Sequence, residues 1–117
     1  MTAIPLKITL RQASSLIAVE FDDGASFDLP FEYLRVFSPS AEVRGHGPGQ
    51  GTLQTGKENV QVTAIEPIGH YAVQLVFDDG HDSGLYSWKH LYDLGTHKAE
   101  YWQDYLDRLN AAGYSRD

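Results

Sequence analysis

The side chains best equipped for chemistry gather around Asp78-Asp79-Gly80-His81-Asp82. An imidazole beside carboxylates can relay a proton, and two converging imidazoles can hold a small ligand or a metal. His46 lies in a glycine-rich stretch and is the second imidazole that meets His81 if that stretch folds over the turn. Arg44, His46, Asp79, His81 and Trp88 together make one candidate binding patch. No catalytic residue is assigned. A small-molecule or metal-binding domain using His46 and His81 is the alternative.

Other chemistries lack their signatures. No histidine is followed two places later by Asp or Glu, so the His-x-carboxylate iron motif of oxygenases is absent. No G-x-S-x-G marks a nucleophile elbow. The pairs Asp22-Asp23 and Asp78-Asp79 each precede a glycine, where turn formation is the expected use and a shared-proton dyad is not. Gly51-Thr52-Leu53-Gln54-Thr55-Gly56-Lys57 has the spacing of a phosphate-binding loop. Glu58 stands where a magnesium-binding hydroxyl is needed, and strand-like residues follow where a helix should. The segment reads as a glycine loop. His97 and Glu100 are three apart on a predicted helix, a spacing common on solvated helices.

The elements that must position these residues are legible from periodicity. Alternating apolar and polar residues predict strands over 6–10, 16–21, 60–65 and 71–77, with returning strands over 25–29 and at Leu85 and Tyr86. Asp22-Asp23-Gly24 and Asp78-Asp79-Gly80 supply the turns. Pro30 suits the start of a short helix over 31–36. Ser87 is placed to cap a helix over 88–94 that Gly95 ends in left-handed geometry. Thr96 is placed to cap a last helix over 97–112, closed by Gly113. Tyr101, Trp102, Tyr105, Leu106 and Leu109 form its apolar stripe, and Asp104 and Arg108 a favourable pair. Between 38 and 56, five glycines and two prolines make the longest irregular segment. Loops of that length are uncommon unless functional or mobile.

Val19-Glu20-Phe21-Asp22-Asp23-Gly24 matches Leu75-Val76-Phe77-Asp78-Asp79-Gly80, and after one inserted residue Phe31 aligns with Trp88 and Leu34 with Leu91. This predicts an internal pseudo-repeat of strand, turn, strand and short helix, two such units sharing one sheet. The fold class expected is α+β, an antiparallel sheet packed against two or three helices, as one domain over 1–117.

Composition sets the remaining bounds. A chain of 117 residues, 42% hydrophobic and 21% charged, is folded rather than disordered. The absence of cysteine removes disulfides, thiol nucleophiles and thiolate-held zinc or iron–sulfur centres. A net charge of −7 argues against nucleic acid. No apolar run reaches the roughly 18 residues of a membrane span. No secretion signal is read at the start, so a cytoplasmic, acidic, monomeric protein without a cofactor is expected.

Three stretches then stand together: the run from Leu34 through Ser38-Pro39-Ser40-Ala41-Glu42-Val43-Arg44-Gly45-His46-Gly47, then Ile68-Gly69-His70-Tyr71-Ala72-Val73, then Phe77-Asp78-Asp79-Gly80-His81-Asp82-Ser83-Gly84-Leu85-Tyr86-Ser87-Trp88. They resemble the gamma-butyrobetaine hydroxylase-like N-terminal domain family, a bacterial group of unknown function. The resemblance implies a small α+β domain. In carnitine-pathway dioxygenases a similar domain precedes the catalytic barrel and holds a structural zinc through three cysteines and a histidine. By motif position those ligands fall on Ser38, Ser40, Val43 and His81. Only the histidine is kept, so the zinc site is degenerate and no metal is expected. Similar domains also occur beside Mrp-type iron–sulfur scaffold ATPases. The expected function is an accessory module that contacts a protein partner linked to oxidoreductase or iron–sulfur chemistry.

Overall fold

A computed structural model describes residues 3–39 and 53–114. Its order is β1 (Pro5–Arg11), β2 (Leu16–Phe21), β3 (Ser26–Pro30), α1 (Phe31–Val36), β4 (Val62–Ile68), β5 (Ala72–Phe77), β6 (Leu85–Ser87), α2 (Trp88–Thr96) and α3 (Lys98–Ala111). The strands make two three-stranded antiparallel sheets, β1-β2-β3 and β4-β5-β6. The α+β class is as expected, but the two units do not share one sheet.

The internal repeat extends to backbone detail. In the first unit Leu16 pairs with Pro30, and in the second Ala72 pairs with Ser87. The register slips between Pro5 and Lys7 in β1, and between Val62 and Ala64 at the same place in β4. Phe21 N donates to Ala25 O at 2.8 Å, and Phe77 N donates to His81 O at 3.0 Å. Each turn closes on a glycine in left-handed geometry, Gly24 at φ 92° and Gly80 at φ 90°, which only glycine adopts without strain. The first aspartate of each turn ties down the strand beside it: Asp22 Oδ1 accepts from Ile4 N at 3.1 Å and Asp78 Oδ1 from Gln61 N at 3.0 Å. The second aspartate caps its own turn, Asp23 Oδ1 accepting from Ala25 N at 2.9 Å and Asp79 Oδ1 from His81 N at 3.1 Å.

Small sheets gain stability by packing a hydrophobic face against other elements. These two are held by a shared core in which Val19, Phe21 and Leu29 of the first unit pack in one cluster with Val62, Leu75, Phe77 and Tyr86 of the second. α1 is buried at all six positions and lies within that core. α3 seals one flank, where Tyr105 and Leu109 cluster with Val36 and the Trp102 ring meets Tyr33 edge-on.

Two local expectations are corrected. Gly95 does not end α2, which runs on to Thr96. It is glycine because the Phe27 ring lies on it: an added Cβ would sit 2.6 Å from Phe27 Cδ1 and closer still to Cγ and Cδ2. Thr96 does not cap the last helix. Its hydroxyl donates back to Tyr92 O at 2.8 Å, and His97 occupies the cap position without a side-chain bond to the helix's backbone N–H groups. Ser87 does cap α2, accepting from His90 N at 3.1 Å, and the Asp104–Arg108 pair forms at 3.3 Å.

Candidate functional site

β5 delivers Asp78-Asp79-Gly80 to the end of the second sheet, and the next residue, His81, turns inward. His81 is 5% exposed, and its Nε2 lies 2.8 Å from Ser38 Oγ, itself fully buried. Gly84 permits this approach, because a Cβ there would meet Ser38 Oγ at 2.5 Å and Tyr86 at 3.2 Å. Beneath them the Tyr86 hydroxyl donates to Leu34 O at 2.5 Å. Burial pushes the Tyr86 phenol far up, so it stays a neutral donor.

Asp79 is the electrostatic centre. Its Oδ2 accepts from Arg35 Nε at 2.8 Å and from Lys57 Nζ at 2.7 Å. Partial burial pushes its carboxyl up. Donation from Lys57, from His81 N and from Arg35 outweighs that and holds the carboxyl at about 2. Arg35 also donates through Nη1 to Gln54 Oε1 at 3.0 Å, and Gln54 O accepts from the Tyr105 hydroxyl at 2.7 Å. Lys57, the lysine of the phosphate-loop spacing, is thus committed to a carboxylate.

Of the patch read from the sequence, Asp79 and His81 come together. Trp88 does not join them. Its backbone N and its Nε1 donate to Tyr71 O and His70 O, at the end of β5 opposite the Asp79 turn. Six strand residues at about 3.3 Å each separate those ends by about 20 Å. Arg44 and His46, with the zinc-equivalent positions Ser40 and Val43, lie outside the described residues.

A zinc does not fit the donors at this locus. Ser38 offers a neutral hydroxyl where a thiolate is needed, and the His81 Nε2 that would ligate is already within hydrogen-bond distance of it. Among the described residues no group of three His, Asp or Glu could hold a metal. His97 lies 3.5 Å from Glu100 and 3.7 Å from Asp93, all on the helix surface.

The sequence reading missed Arg35 and Lys57 as the partners of Asp79. A signal existed for Arg35, a cation in a six-residue helix whose other members, Glu32 apart, are apolar or aromatic. It also missed the counterpart contact. In the repeat Arg35 aligns with Tyr92, and the Tyr92 hydroxyl donates to Asp23 Oδ2 at 2.6 Å. Each turn is therefore closed by the helix of the other unit. The next layer exchanges in the same way: the Tyr33 hydroxyl donates to Leu94 O at 2.6 Å, and His90 Nε2 lies 3.0 Å from Phe37 O.

Comparison with known proteins agrees with this architecture. The model for "Gamma-butyrobetaine hydroxylase-like, N-terminal" matches residues 8–92. One protein solved by NMR in solution is 51% identical with a TM-score of 0.86, the match covering 100% of this chain and 92% of that one. A second NMR structure is 52% identical with a TM-score of 0.84, covering 98% and 86%. A crystal structure of a protein of unknown function from Acidithiobacillus ferrooxidans, belonging to the DUF971 family, is 41% identical with a TM-score of 0.66, covering 78% and 91%. No curated protein matches the chain.

Proposed function

This chain belongs to the gamma-butyrobetaine hydroxylase-like N-terminal family, and on that premise we propose that it is a non-catalytic accessory module that contacts a protein partner. The observation that carries the reading is how the polar groups at the second turn are used. Asp79 is held by two cations, and His81 is buried against Ser38. A general base must reach the proton it abstracts, and a nucleophile must reach its substrate. These groups instead fix the turn as a rigid platform, with Asp78 and Asp82 on its outer side.

The partner is of the oxidoreductase or iron–sulfur class, since similar domains accompany carnitine-pathway oxygenase barrels and Mrp-type ATPases. The contact face is the neighbourhood of Asp79 and His81 together with Arg44 and His46. Capture on the immobilised chain from native extract, then reconstitution with the purified partner, tests this. Arg44→Ala combined with His81→Asn should weaken the reconstituted complex about tenfold while the melting curve stays cooperative. Unchanged affinity in that variant would remove the face from the reading.

A further inference from the structure

We propose that the groove between the first Asp-Asp-Gly turn and α2 is a docking site for an extended segment of a partner protein that aims a lysine at Asp23. This goes beyond the reading above, which concerns the second turn, and either can fail without the other.

The chain itself displays the occupant. In the second unit, the groove between the turn and α1 is covered by the segment leading into β4. Gln54 accepts from Arg35 through its side chain and from Tyr105 through its backbone. Lys57 seats its ammonium on Asp79 Oδ2, and Val60 is buried behind it. The repeat places Tyr92 where Arg35 stands, Asp23 where Asp79 stands and Ala3 where Val60 stands. There the corresponding space is an open groove of about 520 Å³, lined by Ala3, Asp23, Lys89, Tyr92, Asp93 and His97 among others.

The acceptor count is the sharper argument. Asp79 takes the amide of His81 on Oδ1, and on Oδ2 it takes a donor from α1 and the Lys57 ammonium. Asp23 takes the amide of Ala25 on Oδ1 and the Tyr92 hydroxyl from α2 on Oδ2. The first two partners are the same in kind. Among the described residues the third has no counterpart, and no cation of theirs lies within ion-pair distance of Asp23. A carboxylate oxygen has two lone pairs, so Oδ2 keeps an acceptor position where Lys57 sits in the other unit. Lys89 and His97 line the same groove. The fitting segment is therefore of mixed sign, as Lys57-Glu58 is, and not polybasic.

The probe is a blocked peptide of the covering sequence, Leu-Gln-Thr-Gly-Lys-Glu-Asn-Val, titrated at millimolar concentration into the full, isotope-labelled chain and followed by amide NMR. Saturable shifts are expected at Ala3, Asp23, Tyr92 and Asp93. Replacing the peptide's lysine by norleucine, or Asp23→Asn in the protein, should each weaken binding about fivefold, the range of a partly exposed ion pair. Asparagine still accepts from Ala25 N through its one carbonyl oxygen and offers its amide N–H to the Tyr92 hydroxyl oxygen, so that variant keeps the turn. No shift in the groove, or equal affinity for the lysine and norleucine peptides, overturns the proposal. Shifts confined to Asp79 and Arg35 mean exchange with the chain's own segment and overturn it too. Concentration-dependent broadening of the groove without peptide would name a second copy of this chain as occupant, and so overturn it.

Discussion

Gly95→Ala separates helix propensity from packing, because the two predict opposite signs. Gly95 lies inside α2. Replacing an interior helical glycine by alanine adds about 1 kcal/mol where space allows. Here the new Cβ meets the Phe27 ring at 2.6 Å and less. Carbon atoms rest about 3.5–4.0 Å apart, so the ring must retreat by about 1 Å. It has little freedom to do so, since it packs edge-on against Tyr92 with centroids 5.4 Å apart and against Phe21 at 5.9 Å. Overpacking of this kind costs about 1–3 kcal/mol, and so severe an approach lies at the upper end. Subtracting the propensity gain leaves a net loss of about 2 kcal/mol. At roughly 4 °C per kcal/mol for a chain of this size, the melting temperature falls by about 8 °C. Urea denaturation with an unchanged m-value measures the same quantity. The decisive control is the double-mutant cycle with Phe27→Ala. With the ring gone, Gly95→Ala should become stabilising by about 1 kcal/mol. A stabilising Gly95→Ala in the intact chain, or the same effect in both backgrounds, would refute the packing argument.

Asp79 has a folded pKa of about 2 against an ordinary value of 3.8, so its contribution is complete above about pH 4 and disappears as pH falls through 2. After solvent screening this amounts to about 1–2 kcal/mol, and Asp79→Asn should flatten the acid limb of stability against pH by that much. Ser38→Ala removes a buried hydrogen-bond partner of His81 Nε2 and should cost about 1–3 kcal/mol in urea denaturation, whereas an exposed serine would cost almost nothing. Zinc added at micromolar concentration should leave the His81 imidazole resonances unmoved, because Ser38 supplies no thiolate beside it. Heating should give one transition by near- and far-ultraviolet circular dichroism, since residues of both units share one core cluster, and two resolved steps would contradict that sharing.

Much of the fold was written in periodicity and turn chemistry. The strand starting at Leu16, the helix starting at Phe31 and the cap at Ser87 are local features, and each stands where the residues place it. The repeat was visible because both Asp-Asp-Gly turns need the same left-handed glycine and the same two carboxylate bonds. What the residues hid is non-local. Gly95 carries the signature of a helix end, yet the Phe27 ring, far away in sequence, is what requires it. The division into two sheets is set by how the units pack, which no window of residues records. At the candidate site Asp79 and His81 are neighbours in sequence and stay neighbours in space. Trp88 is only seven residues from His81, but β6 carries it back along β5 to the opposite end. Arg35 and Lys57 reach Asp79 through tertiary contacts, and only the charge of Arg35 within a mostly apolar helix hinted at one.

The exchange of contacts between the two units has a consequence for how this molecule can change. Asp23 meets the α2 of the other unit while Asp79 meets α1, which is the rule of an isologous dimer: residue i touches j, and j touches i. In a true dimer of identical subunits every substitution appears twice, so both copies of a contact must tolerate it. Joined in one polypeptide, the copies are released from that constraint. Phe27 covers Gly95 in one copy, while at the matching positions Gly84 faces Ser38, with the bulk removed and a polar pair put in its place. One interface thus keeps an apolar closure while its twin is free to hold a buried polar pair.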